Sequence, residues 1–214
     1  MPQNTDQLLQ RLHDTADRHD QVVMPRVMAE AVERGAGSDA DVADLLADAH
    51  MPIDPENGRL LHVLASARRP GRIVEFGTSH GLSTIYLAGA LEPDEPPMIA
   101  TEYESEKVAA ASTNLASAGL LDRVDLRAGD AFETLAELHE PISLLFLDGW
   151  KVAYLPMLRL LEPLLVDGAL VVADDTNLLP DLCADYLEHV RDPDNGYRSA
   201  DLPVKDGLEI SVRR

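Results

Sequence analysis

Apolar residues recur with a helical period through the first third of the chain. Between residues 4 and 34 they return every three or four positions, which predicts one or two amphipathic helices, with a break allowed near His19. Residues 35–38 predict a turn, after which a helix starts at Ser38 and continues to about His50. Asp54 and Pro55 begin a further helix, because proline is favoured at the first helical position.

After Pro70 the pattern changes to short apolar runs separated by helical segments. The runs cover 72–76, 98–103, 124–128, 142–148 and 169–174, and the segments between them cover about 82–91, 105–118, 131–138 and 154–165. Strands that alternate with helices at this spacing predict parallel pairing and right-handed crossovers. A helix over 178–190 and an antiparallel hairpin from 197–202 and 207–213 close the chain. The predicted fold class is therefore α/β, a doubly wound and mostly parallel sheet.

The same change of pattern predicts the domain organisation. A length of 214 residues fits one compact domain overall. Residues 1–69 are expected to be N-terminal helices that cover the active site or form a homodimer contact, and residues 70–214 are expected to be the core. Amphipathicity alone does not choose between the two roles of the helices.

Composition and charge exclude several classes of partner. Eighteen basic and 38 acidic residues give a formal net charge of −20, so nucleic acid and anionic membrane surfaces are disfavoured. The longest apolar runs have strand length, so no membrane span is predicted. The first 20 residues lack a secretory pattern, which predicts a cytoplasmic protein. Cys183 is the single cysteine, so neither an intrachain disulfide nor a thiolate zinc cluster is expected.

Ligands of a doubly wound sheet bind at the carboxyl ends of its strands, where this chain carries glycines and acids. Gly77 ends the first strand and permits a tight turn with close ligand approach. A dinucleotide fingerprint needs glycine where this chain has Ser79, so a nicotinamide cofactor is disfavoured. Glu102 ends the second strand, where a carboxylate can accept both ribose hydroxyls of an adenosine ligand. Residues 129–131 can contact its adenine ring.

The fourth and fifth strands end in a cluster of acids. Asp148 follows the fourth strand, with Trp150 and Lys151 directly behind it, and Asp174 and Asp175 follow the fifth strand. Consecutive parallel strands are usually neighbours, so the three carboxylates are expected to converge and to favour a hard divalent cation. Helix caps would explain single aspartates but neither the adjacent pair nor Lys151. Beside a bound cation, Lys151 loses its proton more easily and is suited to act as a general base.

On these motifs the sequence resembles the class I S-adenosylmethionine-dependent methyltransferases, and among them the metal-dependent O-methyltransferases of the catechol and caffeoyl-coenzyme A type. The class is supported by residues 75–83, 102 and 129–131. The subgroup is supported by Asp148-Gly-Trp-Lys, the Tyr-Leu-Pro at 154–156, Ala173-Asp-Asp and the Asp-Gly-Leu-Glu-Ile ending at 206–210. The resemblance runs from about residue 51 to the C-terminus and implies a seven-stranded Rossmann-like methyltransferase fold.

The resemblance also implies a set of site residues. The implied cofactor is S-adenosylmethionine, bound by Ile53, Glu75, Gly77, Ser79, Gly81, Ser83, Glu102, Tyr103, Gly129, Asp130, Ala131, Asp148 and Trp150. A divalent cation, Mg²⁺ first, is implied on Asp148, Asp174 and Asp175, with Lys151 as the catalytic base. Contacts to a small aromatic acceptor are implied at Met51, Lys151, Tyr154 and Asp175.

Two residues depart from the pattern of that family. The third metal ligand is usually Asn, whereas this chain has Asp175, which makes the site more anionic. The acid that often contacts the acceptor shortly before the final Asp-Gly has no clear equivalent, since Ala200 and Asp201 lie near that position. The resemblance therefore does not identify all the residues of the acceptor pocket.

The function implied is transfer of a methyl group to a hydroxyl of a catechol-like acceptor. Two other readings stay open. One is a small-molecule methyltransferase that needs no metal, in which the aspartates are caps or acceptor contacts. The other is a non-catalytic S-adenosylmethionine-binding protein whose N-terminal helices are the working surface; Lys151 and the acidic cluster argue against it, because binding alone needs neither.

Overall fold

The computed structural model of the chain describes residues 3–34, 46–178 and 180–214. Two compact units are present, Met1–Pro52 and Ile53–Arg214. The sequence pattern places the boundary at residue 70, whereas the larger unit begins at Ile53. The helix at residues 55–67 therefore belongs to the larger unit and not to the N-terminal segment. Among the described residues, none of the helices has both the length and the apolar content that a membrane span needs.

The first unit is built on one long helix, α1 (Gln3–Arg34). It continues through His19, where the sequence allowed a break, and it contains Pro25. Val23 and Val27 pack with Ala49 in a small apolar cluster of this unit. The turn expected at 35–38 and the first residues of the helix expected from Ser38 lie outside the described residues.

Seven strands of the second unit form one sheet in the order β3-β2-β1-β4-β5-β7-β6. The strands are β1 (Arg72–Phe76), β2 (Met98–Glu102), β3 (Val124–Ala128), β4 (Ile142–Leu147), β5 (Leu165–Asp174), β6 (Tyr197–Leu202) and β7 (Leu208–Arg213). The first five pair in parallel, and β7 runs antiparallel to both β5 and β6. This confirms the predicted doubly wound, mostly parallel sheet with a closing antiparallel hairpin.

In the described part of this unit, six α-helices connect or flank the strands. They are α2 (Pro55–Ala67), α3 (Leu82–Ala88), α4 (Ser105–Ala118), α5 (Ala131–Thr134), α6 (Tyr154–Leu161) and α7 (Ala184–Arg191). Helix α6 ends earlier than its apolar pattern predicts and passes into a 3-10 turn at Glu162–Leu164, because Pro163 has no amide proton to continue the helical hydrogen bonds. Strand β5 correspondingly starts at Leu165, where it pairs with Ile142 before a shift in register.

The centre of the sheet determines where chemistry can occur. All six residues of β4 are buried between β1 and β5. At the carboxyl edge Leu147 lies opposite both Phe76 and Ala173. The residues that follow these three positions, including Asp148 and Asp174, are therefore brought side by side.

Candidate active site

Gly77 brings the loop after β1 against the end of β4. Its φ is 92°, and a Cβ atom there would lie 2.6 Å from the carbonyl oxygen of Asp148. The amide of Asp148 also donates a 2.8 Å hydrogen bond to the carbonyl of Phe76. Only glycine combines this backbone angle with this close approach. The glycine turn and the first of the clustered acids therefore meet at one point.

The carboxylate of Glu102 is oriented by backbone amides. Ser79 N donates to Glu102 Oε2 at 2.7 Å, and Glu104 N donates to Glu102 Oε1 at 2.9 Å. Ser79 adopts a φ of 47°, a left-handed conformation uncommon for residues other than glycine. The turn thus holds Glu102 in place at the end of β2.

A cavity of about 350 Å³ opens at this edge of the sheet, a size typical of small-molecule sites. It is lined by Phe76, Gly77, Thr101, Glu102, Tyr103, Gly129, Asp130, Ala131, Phe132, Gly149, Trp150 and Ala153. Seven of these are among the residues predicted to bind the cofactor. Four of the other five neighbour a residue predicted to bind the cofactor, so extending that set by one position would have found them. The fifth, Ala153, neighbours only Tyr154, which was predicted to contact the acceptor.

Glu75 lies in β1, directly before the cavity-lining residue Phe76, and is fully buried. Its Oε2 accepts hydrogen bonds from the hydroxyls of Thr84 at 2.6 Å and Thr78 at 3.1 Å, whereas Oε1 has no hydrogen-bond partner. Burial raises the pKa of Glu75 from 4.5 to about 7, an effect that the hydroxyls oppose and that the charge of Glu102 reinforces. An unpaired buried carboxylate oxygen suits a cationic ligand group.

The remaining residues predicted for the cofactor and acceptor lie outside the cavity lining. Ile53 is buried shortly before α2. Gly81, with a φ of 84°, precedes α3, and Ser83 is buried in the first turn of that helix, where its hydroxyl acts to lower the pKa of Glu75. Met51 belongs to the first unit, where its amide donates to Asp20.

The acids after β4 and β5 influence one another as the sequence predicted. Burial and then the charge of Asp174 raise the pKa of Asp148 well above its ordinary value. Burial and then the charge of Asp175 raise the pKa of Asp174 to about 7. The side-chain amide of Asn57, from the first turn of α2, lies 3.4 Å from Asp174 Oδ1. Nothing in the local sequence around Asn57 pointed to this contact.

The donor chemistry of the three aspartates fits a hard cation. Carboxylate oxygens are the ligands that Mg²⁺ prefers, and a bound cation would relieve the repulsion that raises the pKa values of Asp148 and Asp174. Within the described residues, however, no three His, Cys, Asp or Glu side chains are already arranged to hold a metal ion. Asp175 instead faces Lys151, with 3.3 Å between its Oδ2 and the lysine Nζ.

Lys151 is buried beside this cluster, with only 6% of its surface exposed. Its Nζ donates to the Tyr154 hydroxyl at 2.8 Å and to the Asp174 carbonyl and Asp175 Oδ2, both at 3.3 Å. Tyr154 is fully buried, and burial followed by the charges of the nearby acids raises its pKa well above the ordinary value. Tyr154 as an acceptor contact stays a prediction; its hydroxyl is engaged within the protein.

The loop between β6 and β7 reaches the same edge of the sheet. Asn177 N donates to the carbonyl of Asp206 at 2.7 Å, and the Asn177 side chain donates to Asp201 at 3.3 Å. Lys205 forms an ion pair with Asp54, the residue that caps α2. The segment around Asp201, where the family pattern was unclear, is therefore attached to the residues that follow Asp175.

Comparisons with known proteins agree with this geometry. Residues 74–176 match a family model described as a methyltransferase domain. The catechol O-methyltransferase of Niastella koreensis is 36% identical over 137 residues, which cover 61% of this chain and 62% of that protein. The catechol O-methyltransferase of Sus scrofa is 30% identical over 148 residues, which cover 66% of this chain and 78% of that protein.

A solved structure gives the same result for the fold. The O-methyltransferase TomG from Streptomyces achromogenes, solved in complex with S-adenosylmethionine, superposes with a TM-score of 0.70 and 25% identity. The match covers 76% of this chain and 82% of that chain. The chain spans about three fifths of the length of curated relatives such as the Niastella koreensis protein.

Proposed function

Because this chain belongs to the catechol O-methyltransferase family, we propose that it methylates a hydroxyl of a small catechol-like acceptor. The proposed donor is S-adenosylmethionine, assisted by a divalent cation and by Lys151 as base. One observation supports this most strongly. Gly149 and Trp150 line the cavity. The residues on either side of them, Asp148 and Lys151, interact with the acids that end β5. The cavity and the acidic cluster are therefore joined by one short segment.

The cavity supplies the groups that an adenosine ligand needs. Glu102, held by two amides, keeps a carboxylate oriented toward a ribose, where it accepts hydrogen bonds from vicinal hydroxyls. Aromatic rings from Tyr103, Phe132 and Trp150 line the same space and can pack on adenine. The unpaired oxygen of Glu75 adds an acidic group close to the glycine turn. We assign the ammonium of the methionine moiety to this acidic region.

Asp148, Asp174 and Asp175 are the residues that we assign to the cation. When bound, S-adenosylmethionine supplies a methyl group on a positively charged sulfur, and a divalent cation supplies positive charge that stabilises a phenolate. The bond from the methyl carbon to the acceptor oxygen forms as its bond to sulfur breaks. Lys151 Nζ donates three hydrogen bonds in the structure, so to act as the base it would first give up one of these protons and then accept the hydroxyl proton.

Orientation is the largest contribution expected from the protein. Holding two reactants in line can supply about 7–11 kcal/mol of a barrier. Lys151 is suited to this because its amine is fixed by three hydrogen-bond partners and little of its stem is exposed. The protein therefore contributes a positioned base and a shaped cavity, while the donor supplies the reactive bond.

Binding and turnover of the purified protein test this proposal. Calorimetry with S-adenosylmethionine is expected to show saturable binding at one site. Mass spectrometry with catechols is expected to show a mass increase of one methylene, and phenols with a single hydroxyl are expected to react far more slowly. Binding without product on any acceptor would favour the non-catalytic reading, and absence of binding would contradict the proposal.

A further inference from the structure

The hydroxyl of Tyr154 bridges Lys151 and the backbone at the end of β5. A carbonyl oxygen can only accept, so the hydroxyl must donate its proton to the carbonyl of Asp174, 3.1 Å away. It therefore accepts the 2.8 Å hydrogen bond from Lys151 Nζ, the shortest of that amine's three contacts. The direction of both bonds is determined by the chemistry of the partners.

Two of the three partners of Lys151 are fixed in place. The Asp174 carbonyl belongs to a paired strand, and Tyr154 has no exposed surface. The ring of Tyr154 also packs edge-on against Tyr186, with centroids 5.7 Å apart and planes at 81°. Asp175, the third partner, is a partly exposed side chain that can rotate. The tyrosine and the carbonyl therefore form the rigid part of the arrangement.

Local sequence spacing creates the contact. Lys151 begins a 3-10 turn, Lys151–Ala153, and Tyr154 is the first residue of α6. Side chains three residues apart eclipse one another in 3-10 geometry, which stacks the amine near the phenol. Nζ lies 5.0 Å from the centroid of the Tyr154 ring, so the ring as well as its hydroxyl faces the amine. A lysine stem is otherwise flexible, so contacts such as these are needed to hold its amine in one place.

We propose that Tyr154 is a positioning residue, whose buried hydroxyl holds the Nζ of Lys151 at the carboxyl end of β5. The catalytic consequence rests on the proposed function, in which Lys151 is the base. That Tyr154 immobilises the amine does not rest on the proposed function, because the mobility of the amine can be measured without turnover. Without the hydroxyl, the amine keeps the Asp174 carbonyl and loses its shortest bond.

The matched variants are Tyr154→Phe and Tyr186→Phe. Both remove one hydroxyl from a fully buried tyrosine in the same ring pair. The Tyr186 hydroxyl is buried and has no hydrogen-bond partner among the described residues, and Tyr186 is not among the partners of Lys151, so this control changes the core without removing a hydrogen bond of the amine.

The first readout is the mobility of the lysine side chain. The chain has three lysines, Lys107, Lys151 and Lys205, so selective ¹³C labelling gives three ε-methylene signals in an NMR spectrum. In the wild type the Lys151 signal is expected to show two distinct proton shifts and restricted motion. Tyr154→Phe is expected to increase that motion by about twofold or more, whereas Tyr186→Phe leaves it unchanged. An immobile Lys151 ε-methylene in folded Tyr154→Phe would overturn the proposal.

The second readout is kinetic and uses an acceptor that the wild type methylates. Tyr154→Phe is expected to lower kcat by about tenfold or more, with the acceptor KM and the S-adenosylmethionine Kd within about twofold of wild type. In a Lys151→Met background the same substitution is expected to have no further effect, because the group that it positions is gone. A further tenfold loss in that background would overturn the proposal.

A third measurement applies if Tyr154→Phe does not fold. The five tyrosines can be labelled at Cζ, and Lys151→Met is expected to shift the Tyr154 resonance while the Tyr186 resonance stays in place. An unshifted Tyr154 signal contradicts the hydrogen bond directly. A wild-type protein with no methyl transfer to any acceptor would refute the proposed function, and the NMR comparisons would still decide whether Tyr154 holds Lys151.

Discussion

The backbone amide of Ser79 donates a 2.7 Å hydrogen bond to Oε2 of Glu102. This bond ties the turn after β1 to the acid at the end of β2, and it forms in the protein alone. Oε1 of the same carboxylate is held by the amide of Glu104. Glu102 is therefore oriented by the protein's own backbone, so the ribose that we propose it binds would need no further ordering of this side chain.

Glu102→Gln is expected to weaken S-adenosylmethionine binding by about tenfold or more. A hydrogen bond to a charged group contributes about 1.5–3 kcal/mol, and the amide replaces one acceptor oxygen with a donor. Calorimetry gives the Kd, and Glu104→Gln is the matched control, because Glu104 uses its backbone and exposes its side chain. Equal Kd values for the two variants would refute the ribose role of Glu102.

The sheet was predictable because its signal is local and periodic. Each central strand is a short apolar run followed by glycine or acid, and β4 is buried along its whole length as its composition indicates. Helix ends were less predictable, as α6 shows, because Pro163 ends the helix while the apolar period continues. The break allowed near His19 is absent, since a polar surface pattern does not by itself interrupt a helix.

The candidate site was predictable where it follows strand ends and less so elsewhere. Gly77, Glu102 and Asp148 lie at the ends of neighbouring parallel strands, so the order of the strands alone predicts that they are close together. Asn57 reaches Asp174 from a helix that is far away in the chain, and no local pattern records such a contact. The hydrogen bonds of the Tyr154 hydroxyl likewise depend on side-chain directions that spacing alone does not specify.

Asp174→Asn is expected to stabilise the protein in the absence of metal and to abolish stabilisation by Mg²⁺. Asp174 is buried beside two other acids, so removing its charge relieves repulsion, by about 1–3 kcal/mol at mildly alkaline pH. A cation that binds only the folded state raises Tm, and that gain requires its ligands.

Thermal unfolding with and without Mg²⁺ measures both effects of Asp174→Asn. The exposed Asp122→Asn variant is the control and is expected to behave as wild type. A Tm that rises equally with Mg²⁺ in Asp174→Asn and in wild type would exclude Asp174 as a ligand.

Glu75 is expected to make the protein less stable as the pH rises. Its pKa is raised by burial to about 7 from 4.5, so the folded state keeps a proton that the unfolded chain has lost. The free energy of unfolding therefore falls between these two values and levels off above them, by about 3 kcal/mol in all. Glu75→Gln removes the contribution of this carboxyl to the pH dependence of the free energy of unfolding, and it keeps an acceptor for the Thr78 and Thr84 hydroxyls.

Denaturant unfolding at about pH 5 and about pH 8 measures the contribution of Glu75. The difference between the two pH values is expected to be smaller in Glu75→Gln than in wild type or in Glu106→Gln, a variant at an exposed position of α4. Identical differences in all three proteins would show that Glu75 does not keep its proton on folding.

Gly77→Ala is expected to destabilise the protein more than Gly129→Ala. Both glycines have positive φ, 92° and 112°, so both substitutions carry backbone strain. At Gly77 the added Cβ also meets the Asp148 carbonyl at 2.6 Å, whereas nothing lies within 4 Å of a Cβ at Gly129. We expect about 1 kcal/mol at Gly129 and at least about 3 kcal/mol at Gly77. Equal losses in denaturant unfolding would contradict the close packing of the turn against β4.

The most direct test of the central claim is the initial rate of methyl transfer from S-adenosylmethionine to a catechol, measured by mass spectrometry in Mg²⁺ and then in excess chelator. We expect product in Mg²⁺, a rate lower by about a hundredfold or more with chelator, and recovery when Mg²⁺ is restored. A rate unaffected by chelator would contradict the role of the three aspartates and leave a methyltransferase that needs no metal. Absence of product in Mg²⁺, from protein that binds S-adenosylmethionine, would contradict the proposed acceptor class.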